Sequence, residues 1–189
     1  MSLKKIVILF SGEGSNLENL IKKLNNTHVN IVAVITNNPN AKGIKKAENL
    51  CVEVIVINHK EYNSREEFDT KLVECIKSLD VDLTVLAGFM RILTPIFTDS
   101  INSINIHPSL LPLFKGANAL ERSYNSDMKV GGVTIHEVVT EVDAGAIIAQ
   151  KCFDKSGLSF EEFKNKIRES EHELFPKGVL KALHASFDM

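Results

Sequence analysis

Apolar segments and helix-like segments alternate through the N-terminal half of the sequence, and this alternation restricts the fold more than any other feature. The apolar segments are KIVILF, NIVAVITN, VEVIVIN and DLTVLA. Continuous apolar runs of this kind are typical of parallel strands that are buried on both faces. With helices between them, these strands are expected to form a doubly wound α/β sheet with right-handed crossovers.

The segments between the strands have the spacing and the caps of helices, with an apolar residue every third or fourth position. The first helix has an apolar stripe made of Leu17, Leu20, Ile21 and Leu24. A second helix is expected around residues 42–50. The third begins with a capping box formed by Ser64 and Glu67. Its apolar face consists of Phe68, Leu72, Cys75, Ile76 and Leu79.

The C-terminal half has strands with less helix between them, which favours a mixed sheet in this part of the chain. These strands are expected at residues 103–107, about 132–139, and 146–152. A final helix is expected to begin at Ser159, where Glu162 closes a second capping box. Pro176 is expected to break this helix, which should end near residue 185.

Composition limits the classes of function. The 189 residues suit a single domain over residues 1–189, and a hydrophobic content of 44% is enough for a buried core. The 22 basic and 24 acidic residues give a formal net charge of -2. This balance offers no electrostatic basis for binding nucleic acid or an anionic membrane. Small-molecule substrates are expected instead, with the protein acting as a monomer or a homodimer.

Cysteine usage and hydropathy indicate the compartment. The three cysteines, at 51, 75 and 152, are odd in number and include no C-x-x-C pair. This pattern predicts a reducing compartment rather than a disulfide framework or a zinc knuckle. The N-terminal apolar run is too short for a signal peptide, and no segment approaches the ~18 apolar residues of a membrane span. A soluble, cytoplasmic protein is expected.

A glycine-containing loop, SGEGSNL, follows the first predicted strand. The N-terminus of the next helix would offer free N–H groups to an anion. A dinucleotide fingerprint would need glycine in place of Leu17 and an acid near Asn37, so NAD is disfavoured. A single phosphate is favoured, with Gly14, Ser15 and Asn16 as donors. The alternative is a tight turn in which Ser15 or Asn16 only caps the helix.

Asn105 and His107 alternate with isoleucines in SINIHP, so a short strand should carry both polar side chains on one side. An amide can donate to an oxyanion, and an imidazole can relay protons near neutral pH. Pro108 then restricts the backbone of His107. The alternative is that both polar residues only occupy the solvent face of a strand.

Two more polar positions lie in the segment GVTIHEVVTEVDAG. HEVVT lacks the second histidine of a zinc-protease helix and has the pattern of a strand, so a zinc protease is rejected. His136 is interpreted as a structural histidine near the site. Asp143 either makes an Asx-type turn or is a carboxylate brought to His107. In the second case it would raise the pKa of the imidazole and fix its tautomer.

Four motifs in this order, SGEGSNL at 11–17, AGFMRIL at 87–93, NIHPSLLP at 105–112 and VDAG at 142–145, carry a resemblance over nearly the whole chain. They resemble the glycinamide ribonucleotide formyltransferase family. NIHPSLLP alone indicates the wider group of folate-dependent formyltransferases, and SGEGSNL narrows the match. The tRNA-modifying and deformylase members carry extra domains for which this sequence has no room.

The resemblance implies roles for individual residues. Asn105, His107 and Asp143 correspond to the catalytic residues of the family. The phosphate loop and an acid that contacts the glycinamide substrate correspond to Gly14, Ser15, Asn16 and Glu171. The folate-binding residues correspond to Arg65, Met90, Arg91, Ile92, Leu93, Val139, Thr140, Glu141 and Val142. The loop 139–143 would wrap the pteridine.

The implied fold is a Rossmann-like, mostly parallel sheet of about seven strands flanked by helices. The implied reaction moves the formyl group of 10-formyltetrahydrofolate to the amine of N1-(5-phosphoribosyl)glycinamide through a tetrahedral intermediate, without a metal. The N2-formyl product belongs to de novo purine biosynthesis. The alternatives are a formyltetrahydrofolate deformylase, another 10-formyltetrahydrofolate-dependent formyltransferase, and a folate- or nucleotide-binding module without catalysis.

The sequence departs from the family pattern in two places. Glu13 replaces an asparagine that is common in the phosphate loop. An acid facing the phosphate would repel it, so the Glu13 side chain is expected to point to solvent. FKGANA at 114–119 replaces a common F-P-G that is followed by a histidine. This second change concerns the order of the loop rather than the reaction.

Overall fold

The computed structural model describes residues 3–185, which form one sheet with helices on both faces. The strands are β1 (Lys4–Phe10), β2 (Val29–Thr36), β3 (Val54–Val56), β4 (Leu83–Leu86), β5 (Ser103–His107), β6 (Val130–Glu137) and β7 (Ile147–Asp154). The helices are α1 (Ser15–Leu24), α2 (Gly43–Asn49), α3 (Arg65–Ser78), α4 (Pro95–Thr98), α5 (Ala119–Asn125) and α6 (Phe160–Ala185). A short 3₁₀ helix, His59–Glu61, precedes α3.

The sheet has seven strands in the order β3-β2-β1-β4-β5-β6-β7. β3, β2, β1, β4 and β5 are parallel, whereas β6 is antiparallel to both β5 and β7. This arrangement confirms the predicted mixed α/β sheet. Among residues 3–185, no helix is long and apolar enough to cross a membrane.

Side chains of β1 divide between the two faces of the sheet, as the two-residue period of a strand requires. Ile6, Ile8 and Phe10 belong to the core shared with α1 and α6. Val7 and Leu9 belong to the core shared with α3 and α4. All five are fully buried. The continuous apolar run therefore arises because neither face of this central strand meets water.

The predicted helix stripes and caps agree with the packing. The four residues of the predicted apolar stripe on α1 are all buried. Ser64 Oγ accepts a hydrogen bond from Glu67 N, although the Glu67 carboxylate accepts from Asn63 N rather than from Ser64. At the start of α6, Ser159 N donates to Glu162 Oε2 and Ser159 Oγ accepts from Glu162 N. That second box is reciprocal, as predicted.

Pro176 does not break α6, so that prediction is wrong. A proline inside a helix leaves the carbonyl four residues earlier without its usual donor. Here that carbonyl belongs to His172, and it accepts from Asn19 Nδ2 at 2.9 Å and from Lys23 Nζ at 2.9 Å. Because α1 supplies both replacement donors, the helix continues through the proline and is held against α1.

The strand bounds also differ from the prediction in part. β3 comprises only Val54–Val56, although the apolar run VEVIVIN is longer. It pairs on one side only, with β2, because it lies at the edge of the sheet. β6 begins before residue 132, since its pairing with β7 extends back to Val130, and it ends at Glu137 rather than at 139.

Candidate active site

The site lies where the parallel strands end and their connections diverge. β1 pairs with β2 on one side and with β4 on the other. The chain leaves β1 toward α1 and leaves β4 toward α4, so a crevice opens between the two connections. Ligands bind at such switch points in open α/β sheets. The phosphate-loop candidates follow β1, the segment Met90–Leu93 follows β4, and Asn105 and His107 lie at the end of β5.

His107 lies between two hydrogen-bond acceptors. Its Nδ1 is 3.2 Å from Asp143 Oδ2, and its Nε2 is 3.0 Å from the carbonyl oxygen of Phe114. His107 is 5% exposed. Burial lowers the pKa of His107, while the Asp143 carboxylate and the Phe114 carbonyl oppose that shift. At neutral pH the resting imidazole is therefore uncharged, and both neighbours favour the imidazolium once a proton arrives.

Asp143 is held in the β6–β7 connection with a positive φ of 54°. Its Oδ2 accepts from Gly116 N at 2.8 Å, and its Oδ1 is 3.5 Å from His136 Nε2. Burial by itself would raise the pKa of Asp143, but the His136 ring, the Gly116 N–H and His107 together hold it below its ordinary value. The carboxylate is thus charged at neutral pH and faces two imidazoles.

Asn105 joins the same cluster from β5. Its Cα pairs with that of His136 across the antiparallel β5–β6 register, so both side chains lie on one face. Asn105 Nδ2 is 3.2 Å from His136 Nε2. The structure therefore brings together the three predicted catalytic residues. The solvent-face alternative does not fit, since His107 is buried.

His136 is the residue that the sequence analysis did not assign to the site. It is 2% exposed and contacts both Asn105 and Asp143. The signal that could have identified it is the strand register, because His136 faces Asn105 directly. A register that pairs two residues 31 positions apart is not evident from the sequence alone.

The loop after β1 leaves a helix N-terminus open. Gly14 is the N-cap of α1 with a φ of 70°, and no side chain caps the helix. A Cβ on Gly14 would come to 2.7 Å from the Cα of Gly43, so the loop packs tightly on α2. Glu13 points to solvent and pairs with Lys42 at 2.8 Å, as predicted. The N–H groups of the first turn are therefore free for an anion.

Residues of helix α6 also contact this region, at Ser15 and Asn16. Ser15 Oγ is 2.7 Å from His172 Nε2, and Asn16 Nδ2 donates to Glu171 Oε2 at 3.0 Å. Asn16 Oδ1 is buried without a protein partner. Burial raises the pKa of Glu171 to about 7. Glu171 thus lies beside the predicted phosphate loop, as an acid that changes charge near neutral pH.

Two clefts meet at Met90 and Arg91, which line both of them. The first, of about 680 Å³, contains the phosphate-loop candidates Gly14, Ser15 and Asn16. The second, of about 550 Å³, is mostly apolar and reaches Asn105 and Asp143. The cluster of Asn105, His136 and Asp143 therefore opens into a cleft that continues toward the N-terminus of α1.

The structure places most, but not all, of the predicted folate-binding residues around the second cleft. Its lining includes Met90, Arg91, Ile92, Leu93, Val139, Thr140 and Val142. Glu141 is exposed and pairs with Lys115 at 3.1 Å instead. Arg65, the exposed first residue of α3, lines neither cleft. Arg91 packs over the Phe68 ring at 5.5 Å, and its Nε is buried without a protein partner.

Within the part of the chain that the structure describes, no group of three or more His, Cys, Asp and Glu side chains is arranged to share a metal ion. At His107, the two imidazoles of His107 and His136 each face the Asp143 carboxylate.

Comparison with known proteins gives a consistent family. The family model described as formyl transferase matches residues 4–179. Phosphoribosylglycinamide formyltransferase of Haemophilus influenzae is 37% identical, covering 92% of this chain and 84% of that one. The trifunctional purine biosynthetic protein adenosine-3 of Gallus gallus is 43% identical over 93% of this chain, which spans only 18% of that protein's length.

Solved structures agree with these relatives. The phosphoribosylglycinamide formyltransferase of Campylobacter jejuni is 54% identical, with a TM-score of 0.92, covering 95% of this chain and 97% of that one. Glycinamide ribonucleotide transformylase 1 of Symbiobacterium toebii is 30% identical, with a TM-score of 0.91, covering 97% of this chain and 89% of that one.

Proposed function

The chain belongs to the formyl transferase family, and we propose that it transfers the formyl group of 10-formyltetrahydrofolate to the amine of N1-(5-phosphoribosyl)glycinamide. The N2-formyl product belongs to de novo purine biosynthesis. The relatives from Haemophilus influenzae and Campylobacter jejuni carry the name of this activity. The observation that carries the proposal is the contact of the His107 imidazole with the Asp143 carboxylate, beside the Asn105 amide.

The ribonucleotide end of the site rests on α1 and α6. The uncapped first turn of α1 supplies N–H donors for the phosphate, with Gly14, Ser15 and Asn16 closest to it. The buried, unpartnered Asn16 Oδ1 and the Glu171 carboxyl supply acceptors for the N–H or O–H groups of the same substrate. An acceptor left unpaired when buried costs free energy, so a ligand donor there is favourable.

The folate end rests on the second cleft, whose residues fit a flat heterocycle. Met90–Leu93, Val139 and Val142 form apolar walls, and the buried Arg91 Nε has no protein partner. When bound, 10-formyltetrahydrofolate supplies the formyl carbon that the substrate amine attacks.

His107 serves as the proton relay. The neutral imidazole accepts a proton as the amine attacks, and the ring then lies between the Asp143 carboxylate and the Phe114 carbonyl as an imidazolium. Both acceptors stabilise that charge in a buried position. The same proton passes on to the leaving nitrogen. Asp143 holds the ring orientation throughout, and Gly116 N–H in turn holds Asp143.

Asn105 serves as the oxyanion donor. Its amide lines the second cleft next to Asp143. An amide nitrogen carries two hydrogens, so one can donate within the protein while the other donates to the oxyanion of the tetrahedral intermediate.

We also place this activity in the cytoplasm, since Cys51, Cys75 and Cys152 are free thiols, as a reducing compartment requires.

A direct assay tests the proposal. Purified protein is incubated with 10-formyltetrahydrofolate, with and without the ribonucleotide, and product is followed by absorbance and by mass spectrometry. Formylated ribonucleotide that appears only when both substrates are present supports the proposal. Formate released without the ribonucleotide would identify a deformylase instead, and tight binding of both compounds without turnover would identify a binding module.

Replacing Asn16 tests the phosphate end separately. Asn16→Asp places a negative charge beside the proposed phosphate position, so the KM for the ribonucleotide should rise at least tenfold through like-charge repulsion. The KM for the folate should remain within about twofold. Asn40→Asp, on an exposed loop outside the site, is the charge-matched control. Equal increases in both KM values would argue against the phosphate assignment.

A further inference from the structure

His136 has no role in the proton transfers described above, yet its ring is buried against the reacting cluster. Its Nδ1 is 2.8 Å from the carbonyl oxygen of Glu137, and its Nε2 is 3.2 Å from Asn105 Nδ2. A buried polar ring in a sheet core is costly unless both nitrogens are satisfied. The contacts around His136 satisfy both. They also fix the polarity of the ring, that is, which nitrogen donates a hydrogen bond and which accepts one.

The polarity begins at Glu137. A carbonyl oxygen only accepts hydrogen bonds, so Nδ1 of His136 must carry the proton. In the neutral ring, Nε2 then carries a lone pair. The Glu137 peptide is itself held in place, because its N–H donates to Ala146 O at 2.9 Å and its carbonyl packs against Gly145, where any Cβ would clash. The tautomer is therefore set by rigid backbone.

The polarity continues into Asn105. A lone pair on His136 Nε2 attracts the amide nitrogen of Asn105 and disfavours the amide oxygen, which would bring two acceptors together. The side chain of Asn105 thus has its NH₂ group, rather than its oxygen, on the His136 side. One N–H of this group donates to the His136 ring. The other N–H of the same group is left for a ligand in the cleft.

We propose that His136 is a positioning residue that selects the orientation of the Asn105 amide, so that an N–H rather than the oxygen is presented to the formyl group during transfer. The inference rests on the proposed function, because only an oxyanion makes that orientation important. With the amide reversed, its oxygen would lie near the oxyanion and would repel it.

A competing arrangement uses the same atoms. A doubly protonated His136 would donate Nε2–H to Asp143 Oδ1, 3.5 Å away, and would turn the oxygen of Asn105 toward the ring. The lowering of the Asp143 pKa by the His136 ring favours this second arrangement. The contact with Asn105 is the shorter one, at 3.2 Å. The two arrangements differ in the protonation of a single nitrogen, which is directly measurable.

The first test needs no variant. Nitrogen-15 NMR of the histidine side chains in the wild-type protein should show His136 as the neutral tautomer, protonated at Nδ1 and unprotonated at Nε2. The exposed His28 serves as the reference for a ring outside the site. An imidazolium at His136, or a proton on Nε2, at the pH of the assay would overturn the proposal. This result does not depend on whether the protein is active.

The second test uses kinetics. His136→Leu removes the acceptor, and turnover should fall roughly 10- to 100-fold through misorientation of Asn105, with both KM values little changed. His136→Gln keeps an acceptor oxygen at a similar reach and should recover most of the lost turnover. His28→Leu is the matched control. Equal loss in the Leu and Gln variants, with unchanged thermal unfolding, would contradict the proposed role.

A double variant separates positioning from general damage. If His136 acts only through Asn105, then His136→Leu should cause little further loss in an Asn105→Ala background. Fully multiplicative losses would overturn the proposal. A wild-type protein that transfers no formyl group would overturn the proposed function instead, while the NMR result for the tautomer would still stand.

Discussion

At the scale of single residues, His107 shows how burial and hydrogen bonding act against each other in the site. Burial lowers the pKa of the ring, and the Asp143 carboxylate and the Phe114 carbonyl work against that effect. The imidazole is therefore uncharged at neutral pH. When it takes up a proton, two hydrogen-bond acceptors stabilise the imidazolium. An exposed histidine would have neither property, since water would serve both protonation states.

Asn105→Ala tests the oxyanion donor. Removing a preorganised donor should cost about 3 kcal/mol of transition-state stabilisation, or roughly 10²-fold in turnover. The KM values should change little, because the oxyanion is absent from the ground state. Steady-state kinetics provides the measurement, and Asn102→Ala, at an exposed position before β5, is the control. Turnover within a factor of three of wild type would exclude the proposed donor.

Glu171→Gln tests the raised pKa of an acid beside the phosphate loop. Because burial raises the pKa of Glu171 from 4.5 to about 7, the folded protein holds this proton more tightly than the unfolded chain does. The acid therefore stabilises the fold at low pH, and that stabilisation is lost as pH rises through this window. The free energy of unfolding of the wild type, minus that of Glu171→Gln, should fall by about 1–3 kcal/mol as the pH rises from 4.5 to about 7.

Chemical denaturation at several pH values measures this difference. The glutamine variant keeps a side chain of the same size that can still contact Asn16, so other titrating groups cancel in the comparison. Glu169→Gln, an exposed acid on the same helix, is the control. A difference between wild type and Glu171→Gln that is constant with pH would contradict the shift.

At the scale of elements, the connection between β1 and α1 depends on two glycines in contact. Gly14 has a positive φ, and its Cα approaches Gly43 at the start of α2. The close approach lets α2 support the loop from behind while the first turn of α1 stays uncapped. A Cβ on Gly14 would clash with the backbone of Gly43, and a Cβ on Gly43 would clash first with the Phe10 ring.

Gly14→Ala tests this packing. The added Cβ would come to 2.7 Å from backbone of Gly43 and would adopt an unfavourable φ. The variant should lose about 2 kcal/mol of stability and bind the ribonucleotide more weakly. Gly12→Ala is the control for stability, since nothing lies within 4 Å of its Cβ position. Equal unfolding midpoints for the two variants would argue against the tight contact.

Some elements were predictable from the sequence and others were not. Buried strands such as β1 and stripes such as that of α1 were predictable, because local spacing records which faces are covered. The convergence of Asn105 and His107 followed from their two-residue spacing. The place of His136 was not predictable, because it depends on the register of β6 against β5. The continuity of α6 through Pro176 was also hidden, since its replacement donors come from α1.

At the scale of the whole molecule, the first and last helices meet across the site. Asn19 and Lys23 of α1 donate to the His172 carbonyl, and the adjacent residues Glu171 and His172 contact Asn16 and Ser15. The His172 carbonyl, which Pro176 deprives of its helical donor, therefore anchors α6 to α1 beside the proposed phosphate loop. Packing of α6 on the sheet, through Phe175 and Val179, sets the distance between the two helices.

Removing the α1 donors tests the anchor. The double variant Asn19→Ala, Lys23→Ala leaves the His172 carbonyl to water, which should cost about 1 kcal/mol of stability. The KM for the ribonucleotide should rise more than the KM for the folate, because α6 borders only the phosphate end. Lys22→Ala, which breaks an exposed pair with Glu18, is the control. A folate KM that rises as much would contradict this division.

The α6 partners of Ser15 and Asn16 follow them by 157 and 155 positions along the chain. The loop that follows β1 is therefore synthesised long before the α6 residues that contact it. A ribonucleotide site that uses both segments, as proposed above, is complete only after α6 has packed against α1.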